Sequence, residues 1–134
     1  MQIKCHAVGR AYVAPHFFVL NKGLNSGKPL VEPCPNCFVI LCSNALERER
    51  LYWLSFALWQ SRAVYPFLRG SVIEFVSKSD FSGLLIEADR RLASDAVEQV
   101  VKSLLTLSQL EENLKKQIEF TKQAKHVLCR KHFN

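Results

Sequence analysis

Cys34-Pro35-Asn36-Cys37 is the sharpest chemical motif in this 134-residue chain, with Cys42 five residues further on. Two thiolates separated by two residues can grip one tetrahedral zinc ion, because the tight turn between them aims both sulfurs inward. Zinc asks for four ligands, and the tail offers His126, Cys129 and His132 at three-residue spacing, which leaves neighbouring side chains on one helical face. The candidate metal set is therefore Cys34, Cys37, Cys129 and His132, with Cys5 and His6 as further donors. Against it stand a long gap between the two halves and the weakness of a lone Cys-x-x-Cys pair. Cys42 lies in an apolar run and reads as a buried core thiol. The main expectation is accordingly no cofactor, with structural zinc as the alternative. A thioredoxin-like role fits worse, since that chemistry places the cysteines at a helix start, and here a strand follows them.

The segment Lys22-Gly23-Leu24-Asn25-Ser26-Gly27-Lys28-Pro29 has the spacing Gly-x-x-x-Gly-Lys. It is one residue short of a phosphate loop and carries proline where serine or threonine would hold magnesium. Pro29 and Pro33 also forbid the helix that such a loop must open. What survives is a looser anion contact, with loop amides turned outward beside Lys22 and Lys28. Aromatic and basic residues interleave at Arg48, Arg50, Tyr52, Trp53, Trp59, Arg62, Tyr65 and Arg69, a mixture able to stack bases and hold phosphates. Trp53 falls opposite the Leu51–Leu54–Leu58 stripe, where exposure would make it a binding anchor for protein or nucleic acid, while the first reading of these aromatics is core. Glu74 interrupts an apolar segment; facing a core it would need Arg62 or Arg69 as partner. No histidine lies near a nucleophile in sequence, and the helical acids sit among arginines as solvated pairs. The reading leans away from an enzyme.

These residues need elements to hold them. All five prolines lie between Pro15 and Pro66, and the last glycine is Gly83. The first half therefore reads as strands and loops and the second as helix. Strands are expected at 2–8, 16–22, 37–43 and 71–77, with 23–36 an extended loop. Asn44 with Glu47 forms a capping-box pattern opening a helix over 45–63. Ser79 is expected to cap a helix over 80–92. From Asp95 onward Val97, Val100, Val101, Leu104, Leu107, Leu110, Leu114, Ile118 and Phe120 recur at three- and four-residue spacing. One helix over 95–131 would span roughly 55 Å, so a break at the second capping pattern, Ser108 with Glu111, is expected. An unbroken helix would expose its leucine stripe and imply a homodimer through the C-terminal helix. The fold class is α+β: a small, mainly antiparallel four-stranded sheet packed against helices, in one domain with a sheet-forming part at 1–77 and a helical part at 78–134.

The net charge of +6 is unevenly placed. Residues 1–46 carry +3, residues 47–112 carry −2 and residues 113–134 carry +5. A basic helical tail raises the local concentration of anionic partners, nucleic acid or an acidic protein surface. The composition, 49% hydrophobic and 22% charged, excludes a disordered chain. No apolar run reaches the roughly 18 residues of a membrane span, and the start MQIKCHAVGR shows no secretory h-region. A cytoplasmic protein without a membrane partner is expected. The leading function is a non-enzymatic binding or regulatory module for nucleic acid or a protein. Its binding candidates are Lys22 and Lys28 in the loop, Arg62 and Arg69 near the helix end, and Lys115, Lys116, Lys122, Lys125, Arg130 and Lys131 in the tail.

The stretches NKGLNSGKP, PCPNCF and LRGSVIEF resemble an uncharacterised family of small proteins from Bacteroidetes and their mobile elements. The resemblance covers residues 16–77 best and the helical tail poorly. It implies an intracellular bacterial or phage setting, with an accessory interaction protein as one form, and carries no activity or site residue with it.

Overall fold

The computed structural model describes residues 1–92 and 94–133. Four strands, β1 (Gln2–Cys5), β2 (His16–Leu20), β3 (Pro29–Leu30) and β4 (Cys37–Leu41), form one antiparallel sheet in the order β1-β4-β2-β3. Helices α1 (Ala45–Gln60), α2 (Lys78–Arg91) and α3 (Ser94–Phe133) follow, with a 3₁₀ turn at Tyr65–Phe67 after α1. The architecture is α+β. The chain divides into two compact units, one over residues 1–98 and one from residue 99 onward.

The central strands explain their own composition. Register pairs Phe17 with Ile40 and Val19 with Phe38, so these four share a sheet face. All are buried, and the rings of Phe17 and Phe38 meet Tyr52 of α1 and Phe81 of α2 at 5.5 and 6.3 Å. The opposite face is covered as well. Phe18, Cys37 and Val39 form a second buried cluster, overlaid by Tyr12, Leu30, Cys34 and Leu41. A strand buried on both faces must be apolar throughout, which is why β4 reads Cys-Phe-Val-Ile-Leu without alternation.

Three expected boundaries are corrected. The segment 71–77 is not a strand of the sheet; the fourth strand is the two-residue β3, inside the expected loop. Residues 69–75 instead close on themselves, with reciprocal amide-to-carbonyl bonds between Arg69 and Phe75 at 2.8 and 2.9 Å. Gly70, at φ 102°, makes that turn; a Cβ there would lie 2.3 Å from the Ile73 carbonyl oxygen. Val72 and Ile73, the apolar residues that suggested a strand, are exposed. The cap of α2 is Ser77 rather than Ser79, its Oγ accepting from the Asp80 amide at 3.1 Å.

The C-terminal segment does not break at Ser108. α3 runs unbroken through 40 residues, about 60 Å at 1.5 Å per residue. A capping pair acts only where the chain already leaves helical geometry. With no glycine or proline after Gly83 nothing forces that exit, and serine costs a helix interior only a few tenths of a kcal/mol relative to better helix formers. α1 begins as expected: Asn44 Oδ1 accepts from the Glu47 amide at 2.8 Å, and Glu47 returns to accept from the Ser43 amide at 2.5 Å. That amide bond is the main reason the Glu47 carboxyl is held below its ordinary value.

Candidate functional site

The loop after β2 and the C-terminal end of α1 build a groove of about 340 Å³, lined by Leu24, Asn25, Ser26, Trp59, Gln60, Arg62, Val64 and Tyr65. The loop is held shut by its own backbone. Leu20 and Lys28 bond at 2.9 Å, Gly27 donates to the Leu20 carbonyl at 2.7 Å, and Lys28 donates to Asn25 at 3.0 Å. Ser26 is buried, its amide and hydroxyl both donating to the Gly23 carbonyl. Gly27, at φ 96°, presses onto Val64, and a Cβ there would meet Val64 Cγ2 at 2.7 Å. Glycine is therefore what lets the loop reach the helix end.

These bonds narrow the expected anion contact. The amides of Gly23, Ser26, Gly27 and Lys28 are spent on the carbonyls of Glu74, Gly23, Leu20 and Asn25. These four amides do not point outward, so the loop's cationic side chains carry most of any anion contact. Two of these are cationic. Lys28 Nζ sits 5.1 Å from the centroid of the Trp59 ring, within cation–π range. Arg62 follows α1 directly and is exposed.

Arg62 adopts φ 60°, the one positive φ outside glycine among the described residues. Its position explains the angle. The Arg62 amide donates to the Trp59 carbonyl and the Ala63 amide to the Leu58 carbonyl, at 3.0 and 2.9 Å. These are the two bonds of a Schellman ending, whose left-handed residue is ordinarily glycine. A residue with a Cβ there costs on the order of 1–2 kcal/mol. The helix end thus carries a strained arginine at the mouth of a groove walled by a tryptophan and a tyrosine.

The other sequence candidates scatter. Lys22 and Arg69 each bridge to Phe75, and Arg69 is also ion-paired to Asp80 at 2.8 Å. Glu74 is therefore not the acid that Arg69 serves. Arg48 donates to the His16 carbonyl and Arg50 pairs with Asp89, so both tie α1 to its neighbours. Trp53 is buried, not exposed, and its indole N–H donates to Glu49 at 2.9 Å. On α3 the six basic candidates are all exposed, and Lys115 is paired with Glu111 at 2.8 Å. At 100° per residue Lys115 and Lys122 lie close together with Lys125 and Arg130 to either side, while Lys116 and Lys131 lie further around the helix. Asn25 and Gln60 were not legible as groove residues. The one sequence signal for them was a helix ending on Ser-Arg-Ala without glycine.

Among the described residues, no three His, Cys, Asp or Glu side chains converge closely enough to hold a metal ion. Cys34 is half-buried, and Cys129 and His132 are exposed on α3. The Cys34–Cys37 turn is closed by hydrogen bonds instead, the Cys37 thiol donating to the Cys34 carbonyl at 3.0 Å and accepting from its amide at 3.5 Å. Burial pushes the Cys37 thiol up to about 11, and Cys42 likewise to about 11. Without a metal beside them, both are held as neutral thiols at neutral pH by burial.

No helix among the described residues is long and apolar enough to cross a membrane. No curated protein and no solved structure matches the chain. One family model does, over residues 3–131, which takes in the sheet, the groove and nearly all of α3. The chain belongs to the family of unknown function DUF6943.

Proposed function

We propose that this chain is a non-enzymatic binding module that takes single-stranded nucleic acid in the groove between the 22–28 loop and the end of α1. The carrying observation is Arg62, held in the left-handed region at a glycine position, exposed beside Trp59 and Tyr65. Strain of this kind persists where the side chain is needed. A guanidinium beside two aromatic rings is the chemistry that holds a phosphate while a base stacks. Lys28, already against Trp59, adds a second cation. Asn25 and Gln60 offer amide groups to a base edge. The exposed lysines of α3 supply further, sequence-independent attraction to phosphates. The setting is a bacterial or mobile-element cytoplasm, as the sequence resemblance implies.

The test is fluorescence anisotropy with a labelled single-stranded oligonucleotide at several salt concentrations. Each phosphate contact releases condensed counterions, so log K falls with log salt at about −0.7 per contact. Lys28 and Arg62 acting together give a slope near −1.4. Replacing Trp59 by alanine should weaken binding by about 1–3 kcal/mol, the worth of one stacked base. Binding indifferent to salt, or unchanged in Trp59→Ala, overturns the reading.

A further inference from the structure

The groove leaves the most conspicuous surface of the molecule unused. On α3 the side chains of Leu107, Leu110, Leu114 and Ile118 are 60, 54, 49 and 57% exposed. With Val100 before them and Leu128 after, they lie on one side of the helix at 100° per residue. A row of large aliphatic side chains in water is unfavourable unless something covers it. The charge along the helix says what does. Residues 94–112 carry Asp95, Glu98, Glu111 and Glu112 against Lys102, a net −3. Residues 113–133 carry six basic residues against Glu119, a net +5.

We infer that the exposed stripe of α3 is a self-association surface and that it pairs with the same stripe of a second copy running antiparallel. Parallel pairing would lay +5 on +5 and −3 on −3. Antiparallel pairing lays the acidic half of each helix against the basic half of the other and sets the two helix dipoles in opposition. The spacing fits close packing of nearly straight helices. From Leu107 to Ile118 the steps are three, four and four, so three turns take eleven residues. That is about 3.67 residues per turn, near the 3.6 of an unsupercoiled helix. Covering six such side chains on both copies buries about 1,200 Å², the lower end of what specific interfaces use. The inference is independent of the groove and of its ligand.

Sedimentation equilibrium of the full chain at micromolar to 100 µM concentration tests association. The expected species has twice the 15.3 kDa chain mass, and the variant Leu110→Lys/Leu114→Lys should sediment as a monomer while its thermal transition shows the sheet unit still folded. Orientation is read separately by a spin label on the exposed Cys129 in a Cys5→Ser/Cys34→Ser background. Antiparallel pairing centred near residue 112 separates the two labels by about 50 Å. A monomer at 100 µM overturns the inference, as does a dimer that survives the lysine substitutions. A label separation under about 20 Å, the parallel arrangement, overturns its antiparallel form.

Discussion

Arg62 and the two buried thiols each set a local balance between strain, burial and stability. Glycine at position 62 would satisfy the Schellman ending without strain. Replacing Arg62 by glycine should therefore raise stability by about 1 kcal/mol, seen as a higher unfolding midpoint in urea. Cys37 and Cys42 show the opposite case. They are packed into the core, and burial raises their pKa values in a way that couples stability to pH. A thiol whose folded value lies near 11 and unfolded value near 9 favours the folded state fully below about pH 9. That contribution is lost as pH rises through the folded value. Cys5 and Cys129, both exposed, should react with a thiol reagent at once at pH 8, while Cys37 and Cys42 should react only on unfolding. The melting temperature should fall between pH 9 and 11, and fall less in the Cys37→Ala/Cys42→Ala variant.

At the scale of elements, local signals that act through the backbone were legible and those set by tertiary packing were not. The start of α1 is a case of the first kind. Asn44 and Glu47 are three residues apart because the cap needs them there, and replacing Asn44 by alanine should cost about 1 kcal/mol in denaturant unfolding. The Glu47 carboxyl, lowered by the Ser43 amide, adds stability that is present above its unfolded value near 4.5 and lost as pH falls through the folded one. Glu47→Gln should flatten that acid limb. β4 was legible because a strand buried on both faces has a composition nothing else requires. The 71–77 segment misled because Val72, Ile73, Phe75 and Val76 make a short β-branched and aromatic run of the kind strands use, while the turn at Gly70 that withdraws it from the sheet leaves no periodic trace. Trp53 allowed two readings, core or exposed anchor, because α1 is apolar around most of its circumference and no period marks which tryptophan faces in; the structure buries it. Trp59, six residues on, turned out to be the one at the groove. Ser108 misled because a capping pair is also an ordinary helical sequence.

Across the whole molecule, the charge is distributed by unit rather than spread. The unit spanning residues 1–98 holds the groove with Arg62 and Lys28, and the unit from residue 99 onward holds the basic stretch of α3 together with the apolar stripe. Of the ten basic side chains that sequence alone nominated, Lys28 and Arg62 converge at one aromatic groove. Lys22 and Arg69 meet at Phe75, and the remaining six follow one helix without sharing a single face. A protein with only a diffuse positive field would bind nucleic acid with no dependence on which cation is removed. A built site depends on one of them most. The direct measurement is oligonucleotide affinity and urea stability, side by side, for the native chain and Arg62→Gly at 50 mM salt. The account predicts a variant that is more stable and binds at least tenfold more weakly. A variant that is more stable and binds with undiminished affinity would contradict it, because the strain at Arg62 would then serve nothing in the groove.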